Sequence, residues 1–350
     1  MNKDTYQKQL YIENVTRLRD ILETMPPYCK EYFRSKETTT TPKTRIGYAI
    51  DIRTFFRFLH VRNPLLKDVE ITRITLQDLE ALDPMDIEEY FEYLKYYTYD
   101  GQEYTNDVRG IKRKFAALRS FYAYFQKHRH ITNNPTLLVD MPKLRNKEIV
   151  RLDSDEVREL LELVEKGPDA PEGSRKRKFY EQCKYRNIAL FTLLLGTGIR
   201  VSECVGLNIQ DLDFKNNRMR IVRKGDKEDF VYFGEEVAEA LCDYVEISRQ
   251  SITPVPGHED ALFLSIQRKR MGIQAIENLV KEYAGQVTAF KHITPHKLRS
   301  TYGTTLYRET GDIYLVAEVL GHNDVNTTRK HYAALDEDRK RMAAKAVKLR

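Results

Sequence analysis

The sequence predicts a mainly α protein of two domains, an N-terminal helical one and a C-terminal mostly helical one with a small antiparallel β-sheet. Three observations carry that prediction. At 350 residues the chain exceeds one typical domain and suits two cores of ordinary size. Apolar residues recur at helical spacing through most of the chain, most clearly at Ile111, Phe115, Leu118, Tyr122 and Phe125, which step by four, three, four and three. A polar, proline-bounded stretch precedes residue 149, and a hairpin pattern appears only after it.

The first domain is expected over residues 1–142. Leu10, Val15, Leu18 and Leu22 mark a helix in 5–24, stopped by Pro26-Pro27. Thr38–Thr41 supplies an N-cap and Pro42 a first-turn residue for a helix through Phe55, Phe56 and Leu59. Asp83-Pro84 opens another, carrying Ile87, Phe91 and Leu94. In the helix around 105–129, Arg109, Lys112, Arg113, Lys114 and Arg119 fall on the flanks and far side of the apolar stripe. Asp107 is the one acid nearby. Asn134-Pro135, Pro142 and the polar run Lys143–Lys147 read as connecting segment, with 143–148 as the linker.

The second domain is expected over 149–350. Asp153 or Ser154 caps a helix through Val157, Leu160, Leu161 and Val164. Gly167–Lys178 reads as a polar loop ending in the basic cluster Arg175–Lys178, followed by a buried helix from Ile188 to Leu195. Arg218–Arg223 and Asp229–Phe233 flank Lys224-Gly-Asp-Lys227 as a hairpin, and helix resumes from Val237 apart from a Pro254–Gly257 loop. A tail over 336–350 places Met342, Ala343, Ala346 and Val347 on one helical face.

Composition narrows the class. Lys+Arg number 58 against 52 Asp+Glu, a net +6 that permits nucleic-acid binding without demanding it. Cys29, Cys183, Cys204 and Cys242 lie far apart with no CxxC pairing, as expected of free thiols in a reducing compartment. The polar opening and the lack of a long apolar run predict a cytoplasmic protein with no membrane partner.

Four short motifs hold the chemistry. Gly196-Thr-Gly198 makes a tight turn after an apolar helix and presents Arg200, with Glu203 three residues on, placed to orient its guanidinium. Thr294-Pro295 starts a helix whose first turn carries His296 and Arg299, near the positive end where a phosphate is favoured. Gly321 can close the helix Leu315–Leu320 in a left-handed cap that throws His322 onto a fixed corner. Asn326 then caps a short helix ending at Tyr332, and none of the 22 tyrosines in the chain falls between Tyr314 and Tyr332. His331 reads as incidental.

Read together and in this order, the motifs resemble those of the tyrosine recombinase (phage integrase) family, most like its single-protein Xer-type members from Gram-positive bacteria. The resemblance implies a SAM-like core-binding first domain and a catalytic second one. It makes Arg200, Lys224, His296, Arg299 and His322 catalytic, Glu203 supporting and Tyr332 the nucleophile. Lys224 would protonate the departing 5′ oxygen, with Lys227 as rival. The His322-to-Tyr332 spacing is one residue longer than the commoner family value.

The reaction implied is cleavage and rejoining of DNA through a 3′-phosphotyrosyl bond, with strand exchange through a Holliday junction. A phenol ordinarily titrates near pH 10, so it needs a base and a cationic pocket. No metal or other cofactor is expected, since the new bond conserves the phosphodiester's energy and the sequence carries neither a P-loop nor metal-ligand spacing. Implied partners are double-stranded DNA with inverted-repeat half-sites and a homotetramer formed by exchange of the tail, with an accessory protein as a further candidate. Arg109, Lys112, Arg113, Lys114 and Arg119 are the expected DNA contacts. Chromosome dimer resolution and mobile-element integration both fit. A type IB topoisomerase and a non-catalytic DNA-binding regulator stand as alternatives.

Overall fold

The computed structural model describes residues 3–144, 150–223, 227–322 and Val325. It divides into two compact units, Asp4–Lys147 and Glu148–Arg350, the first three residues aside. Each is built mainly of helices.

The first unit contains α1 (Lys3–Glu23), α2 (Cys29–Ser35), α3 (Pro42–Arg62), α4 (Leu76–Glu80), α5 (Pro84–Lys95) and α6 (Val108–Lys127). Their starts follow the sequence chemistry. The Thr41 hydroxyl accepts from Thr44 N ahead of Pro42, and Asp83 accepts from Met85 N and Asp86 N ahead of Pro84. Only the second half of α1 packs: Leu18 and Leu22 are buried while Leu10 is exposed. The core is aromatic, with Tyr32, Phe33, Phe55, Phe56, Tyr90, Phe115, Phe121 and Phe125 fully enclosed. The Tyr32 and Phe121 rings meet edge-on at 5.2 Å, a geometry that adds to their area burial.

Two features here depart from expectation. Asn134-Pro135 belongs to the folded unit and not to a linker. Asn134 caps a short 3-10 turn over Pro135–Leu137, Thr136 is completely buried, and Arg119 Nε donates to its carbonyl at 3.0 Å. A hairpin unannounced by apolar periodicity joins α5 to α6. Its strands β1 (Tyr96–Tyr99) and β2 (Gln102–Thr105) turn at Asp100-Gly101, both with positive φ as a type I′ hairpin turn requires.

In the second unit, α7 (Ser154–Lys166), α10 (Glu235–Asp243) and α12 (Pro295–Thr310) pack around the long α8 (Arg175–Thr197). The core between them includes Leu160, Leu190, Phe191, Leu194, Leu241 and Leu298. The basic cluster Arg175–Lys178 is the first turn of α8, capped by Ser174, whose hydroxyl accepts from Arg177 N. It is therefore helix, where a loop was expected, and α8 runs unbroken into the apolar segment.

The short α9 (Val201–Gly206) leads to an antiparallel sheet ordered β3-β4-β5, from β3 (Leu212–Asp213), β4 (Arg218–Arg223) and β5 (Lys227–Tyr232). Met219 and Ile221 point inward and Arg223 pairs with Lys227 at the hairpin end. Between Ile252 and Gly272 the chain is irregular, as expected for the Pro254–Gly257 loop but where helix was expected after it. Ala261–Leu264 is buried there in extended form, held by bridges from Asn208 to Ala261 and from Leu264 to Arg270. Among the described residues, two further helices are α11 (Ile273–Val287) and α13 (Ile313–Leu320).

Candidate active site

The site forms where three chain reversals meet. The first ends α8. Gly198 adopts the left-handed conformation (φ 60°), its N–H donates to Leu194 O, and it packs so closely that a Cβ would lie 2.5 Å from Tyr302 Cδ1. Arg200 follows as the N-cap of α9. Its N–H donates to Glu203 Oε2 at 2.8 Å and its Nη1 to Oε1 at 2.6 Å, so one carboxylate fixes both the backbone and the fork. Glu203 is buried and Arg200 about one-third exposed, which leaves the guanidinium partly open while its orienting partner is enclosed. Burial and the Glu203 charge together push the neighbouring Cys204 thiol well above its usual range.

The second reversal starts α12 at Thr294-Pro295. His296 is exposed in the first turn, and Arg299 one turn on is buried at 4% exposure. Arg299 Nη1 donates to Gly198 O at 2.6 Å, and Nη2 donates to Leu320 O. The third reversal ends α13. Gly321 is left-handed (φ 59°), its N–H donates to Glu318 O, and the N–H of His322 donates to Ala317 O. That pair of bonds is a Schellman ending, and it holds His322 at a defined corner.

The carbonyls that this ending leaves over are taken by arginines. Arg200 Nη2 donates to Gly321 O at 2.9 Å. Arg299 reaches Leu320 O. Arg223, from the end of β4, places Nη1 3.2 Å from Leu320 O and Nη2 3.2 Å from Val319 O. Three guanidiniums thus gather at the negative end of one helix, where cations are favoured and orphan carbonyls need donors. Sequence reasoning misses Arg223, because a strand-end arginine carries no sign of a partner 97 positions away.

The structure therefore brings Arg200, Glu203, Arg299 and the His322 corner together, with His296 at the start of the helix that carries Arg299. Lys224, Tyr332, His331, Asn326 and the tail 336–350 lie outside the described residues. Lys227 opens β5 and is exposed. Among the described residues, no group of three or more His, Cys, Asp or Glu side chains is arranged to hold a metal, and no helix is long and apolar enough to cross a membrane.

The basic set on α6 divides. Arg109 is exposed and Lys112 half-buried. Lys114, expected on a solvent-facing flank, is instead buried, with Nζ 3.3 Å from the fully enclosed Asp51 Oδ1. Arg113 Nη2 approaches the same oxygen at 2.8 Å. Burial raises the Asp51 carboxyl even against the pull of these two cations. Arg119 donates to the Thr136 and Val139 carbonyls. Lys114 and Arg119 thus carry internal bonds that join α6 to α3 and to the 3-10 turn. Helical periodicity cannot separate such residues from groove-facing ones, because a long cation beside the apolar stripe can fold either way.

The profile of the Phage integrase family matches residues 150–339, more than half of the chain. The chain belongs to the phage integrase family. It is similar to Tyrosine recombinase XerC of Caldanaerobacter subterraneus subsp. tengcongensis, at 32% identity over 91% of this chain and 86% of the relative. A XerC of Oceanobacillus iheyensis is 27% identical over 92% and 91%. Among solved structures, the XerH site-specific recombinase bound to a palindromic difH substrate superposes with a TM-score of 0.65 at 22% identity. That match covers 87% of this chain and 80% of that one. The two-domain integrase fold is common to both. The protein is accordingly a tyrosine recombinase, a DNA strand-transferring enzyme most like the Xer type.

Proposed function

We propose that this recombinase cuts and rejoins double-stranded DNA at paired inverted-repeat half-sites, using Tyr332 as nucleophile and Arg200, Arg299, His296 and His322 around the scissile phosphate. The observation that carries the reading is the convergence of two sequence-distant arginines on adjacent carbonyls of the α13 ending, beside the His322 corner. A guanidinium pair that binds a helix's terminal carbonyls has the donors to bind phosphoryl oxygens instead.

The chemistry balances without a metal. The Tyr332 oxygen forms a bond to phosphorus and gives up its proton to His296 or His322. The bond from phosphorus to the 5′ oxygen breaks, and that oxygen takes a proton from Lys224 or Lys227. Arg200 and Arg299 offset the charge that builds on the pentacoordinate phosphate, and Glu203 keeps Arg200 aimed. A 5′ hydroxyl from a partner strand reverses the attack and exchanges the strands through a Holliday junction. In this reading the tail 336–350 docks on a neighbouring copy within a tetramer, and Arg109 and Lys112 contact the DNA backbone.

Covalent capture tests the proposal. The protein is incubated with sheared DNA of its own host and denatured, and DNA that stays attached is sequenced. Enrichment at one locus with inverted repeats supports recombination at a defined site. Scattered adducts indicate a relaxing enzyme of topoisomerase type, and binding without any adduct indicates a regulator.

A further inference from the structure

Arg223 takes no part in the reaction just described, yet it is the most enclosed guanidinium on the β4–β5 sheet. Its side chain is 12% exposed, against 33% for Arg218 and 36% for Arg220. Three groups hold it. Nε donates to Asp229 Oδ2 at 2.5 Å on the opposite strand of its own hairpin. Nη1 and Nη2 donate to Leu320 O and Val319 O, each at 3.2 Å. One end of the fork is thus fixed to the hairpin and the other to the last turn of α13.

Gly321 is shaped to receive it. A Cβ there would lie 1.9 Å from Arg223 Nη1 and 2.4 Å from Cζ, so the guanidinium occupies the space a side chain would fill. Leu320 O is moreover shared, since it accepts from both Arg223 and Arg299. Arg223 therefore shares a carbonyl with Arg299 and lies one carbonyl away from Arg200, the two arginines proposed to bind phosphate. By chain position it stands directly before Lys224, and by register it pairs with Lys227.

We infer that Arg223 is a positioning residue for leaving-group protonation: its guanidinium ties the lysine-bearing hairpin to the His322 corner and so sets the proton donor against the 5′ oxygen. A bidentate fork suits this task because it fixes orientation as well as distance, which a point charge does not. The inference rests on the reading that a hairpin lysine is the general acid. The bland alternative is that Arg223 only satisfies helix carbonyls and stabilises the fold.

The leaving group separates these cases. DNA whose scissile 5′ oxygen is replaced by sulfur departs as a thiolate and needs no proton, because a thiol titrates near pH 8.5, far below an alcohol. Single-turnover cleavage of oxygen and sulfur substrates at the captured site would be compared for the parent and for Arg223→Met, Arg223→Lys, Lys224→Ala and Lys227→Ala. DNA affinity close to the parent's verifies folding.

The expected result for Arg223→Met is about 100-fold slower cleavage of the oxygen substrate, the lower range for loss of general acid catalysis, with the sulfur substrate cleaved within about threefold of the parent. Arg223→Lys should fall between. An Arg223→Met rate reduced equally on both substrates, or unchanged on both, would overturn the inference. If one lysine variant is rescued by sulfur and Arg223→Met is not, the positioning role fails while the general-acid reading stands. If neither lysine variant is rescued, the general-acid reading fails and the inference falls with it.

Discussion

Replacing Gly321 with alanine should cost far more than a loop glycine usually does, and most of the cost should vanish once Arg223 is removed. Two terms contribute. Gly321 has a φ of 59°, a left-handed conformation that costs a residue with a Cβ about 1–2 kcal/mol. The new methyl would also enter the space of the Arg223 guanidinium, which would have to shift off the helix end. Its departure breaks two bonds from a charged donor to the Leu320 and Val319 carbonyls, each worth about 1.5–3 kcal/mol, with water recovering part. The sum is about 3–5 kcal/mol for Gly321→Ala alone.

In an Arg223→Ala background the same substitution should cost only the backbone term, about 1–2 kcal/mol. The expected coupling is therefore about 2 kcal/mol, within the range seen for residues in direct contact. Native-state hydrogen exchange of the α13 and β4 amides, read by mass spectrometry on the full chain, measures all four corners of the cycle. Costs that add within about 0.5 kcal/mol would refute the argument that Gly321 is small in order to admit Arg223.

Other outcomes follow from the same geometry. Glu203→Gln should slow covalent-adduct formation by about 10- to 100-fold with DNA affinity unchanged, the equivalent of one lost charge-assisted bond. Both Glu203 oxygens accept from Arg200, and an amide turns a donor toward one of those N–H groups. On α6, Arg109→Ala and Lys112→Ala should each weaken DNA binding and lower the salt slope by about 1. Lys114→Met should leave affinity and slope alone, and a slope change there would contradict its internal role. Asp51→Ala should destabilise the first unit by about 3–5 kcal/mol in urea titration, because it strands Lys114 as a buried charge.

Much of this was legible from local chemistry. The caps at Thr41 and Asp83, the tight turn at Gly198, the left-handed Gly321 and the start of α12 at Thr294-Pro295 each depend on neighbours within a few residues. The orienting of Arg200 by Glu203 was readable for the same reason. The β1–β2 hairpin could have been found from Asp100-Gly101, a strong turn pair, but its strands alternate too weakly to announce themselves. Ser174 as a cap was equally local, and the charge of Arg175–Lys178 masked it as loop.

Long-range polar contacts were not legible. Lys114 and Arg119 look like surface cations until Asp51 and the Thr136 carbonyl are seen beneath them. Arg223 is the strongest case, since two of the three groups that hold it lie on a helix from another part of the chain. A side chain that can snorkel or fold inward leaves the choice to tertiary structure.

The proposed reaction turns on which oxygen attacks the phosphate. The most direct test is to trap the covalent complex on a nicked substrate whose cleaved end diffuses away, digest it, and map the nucleotide-bearing peptide by mass spectrometry. One modified residue, Tyr332, is expected, with no adduct from Tyr332→Phe while DNA binding persists. An adduct on another tyrosine, or one that survives in Tyr332→Phe, would contradict it.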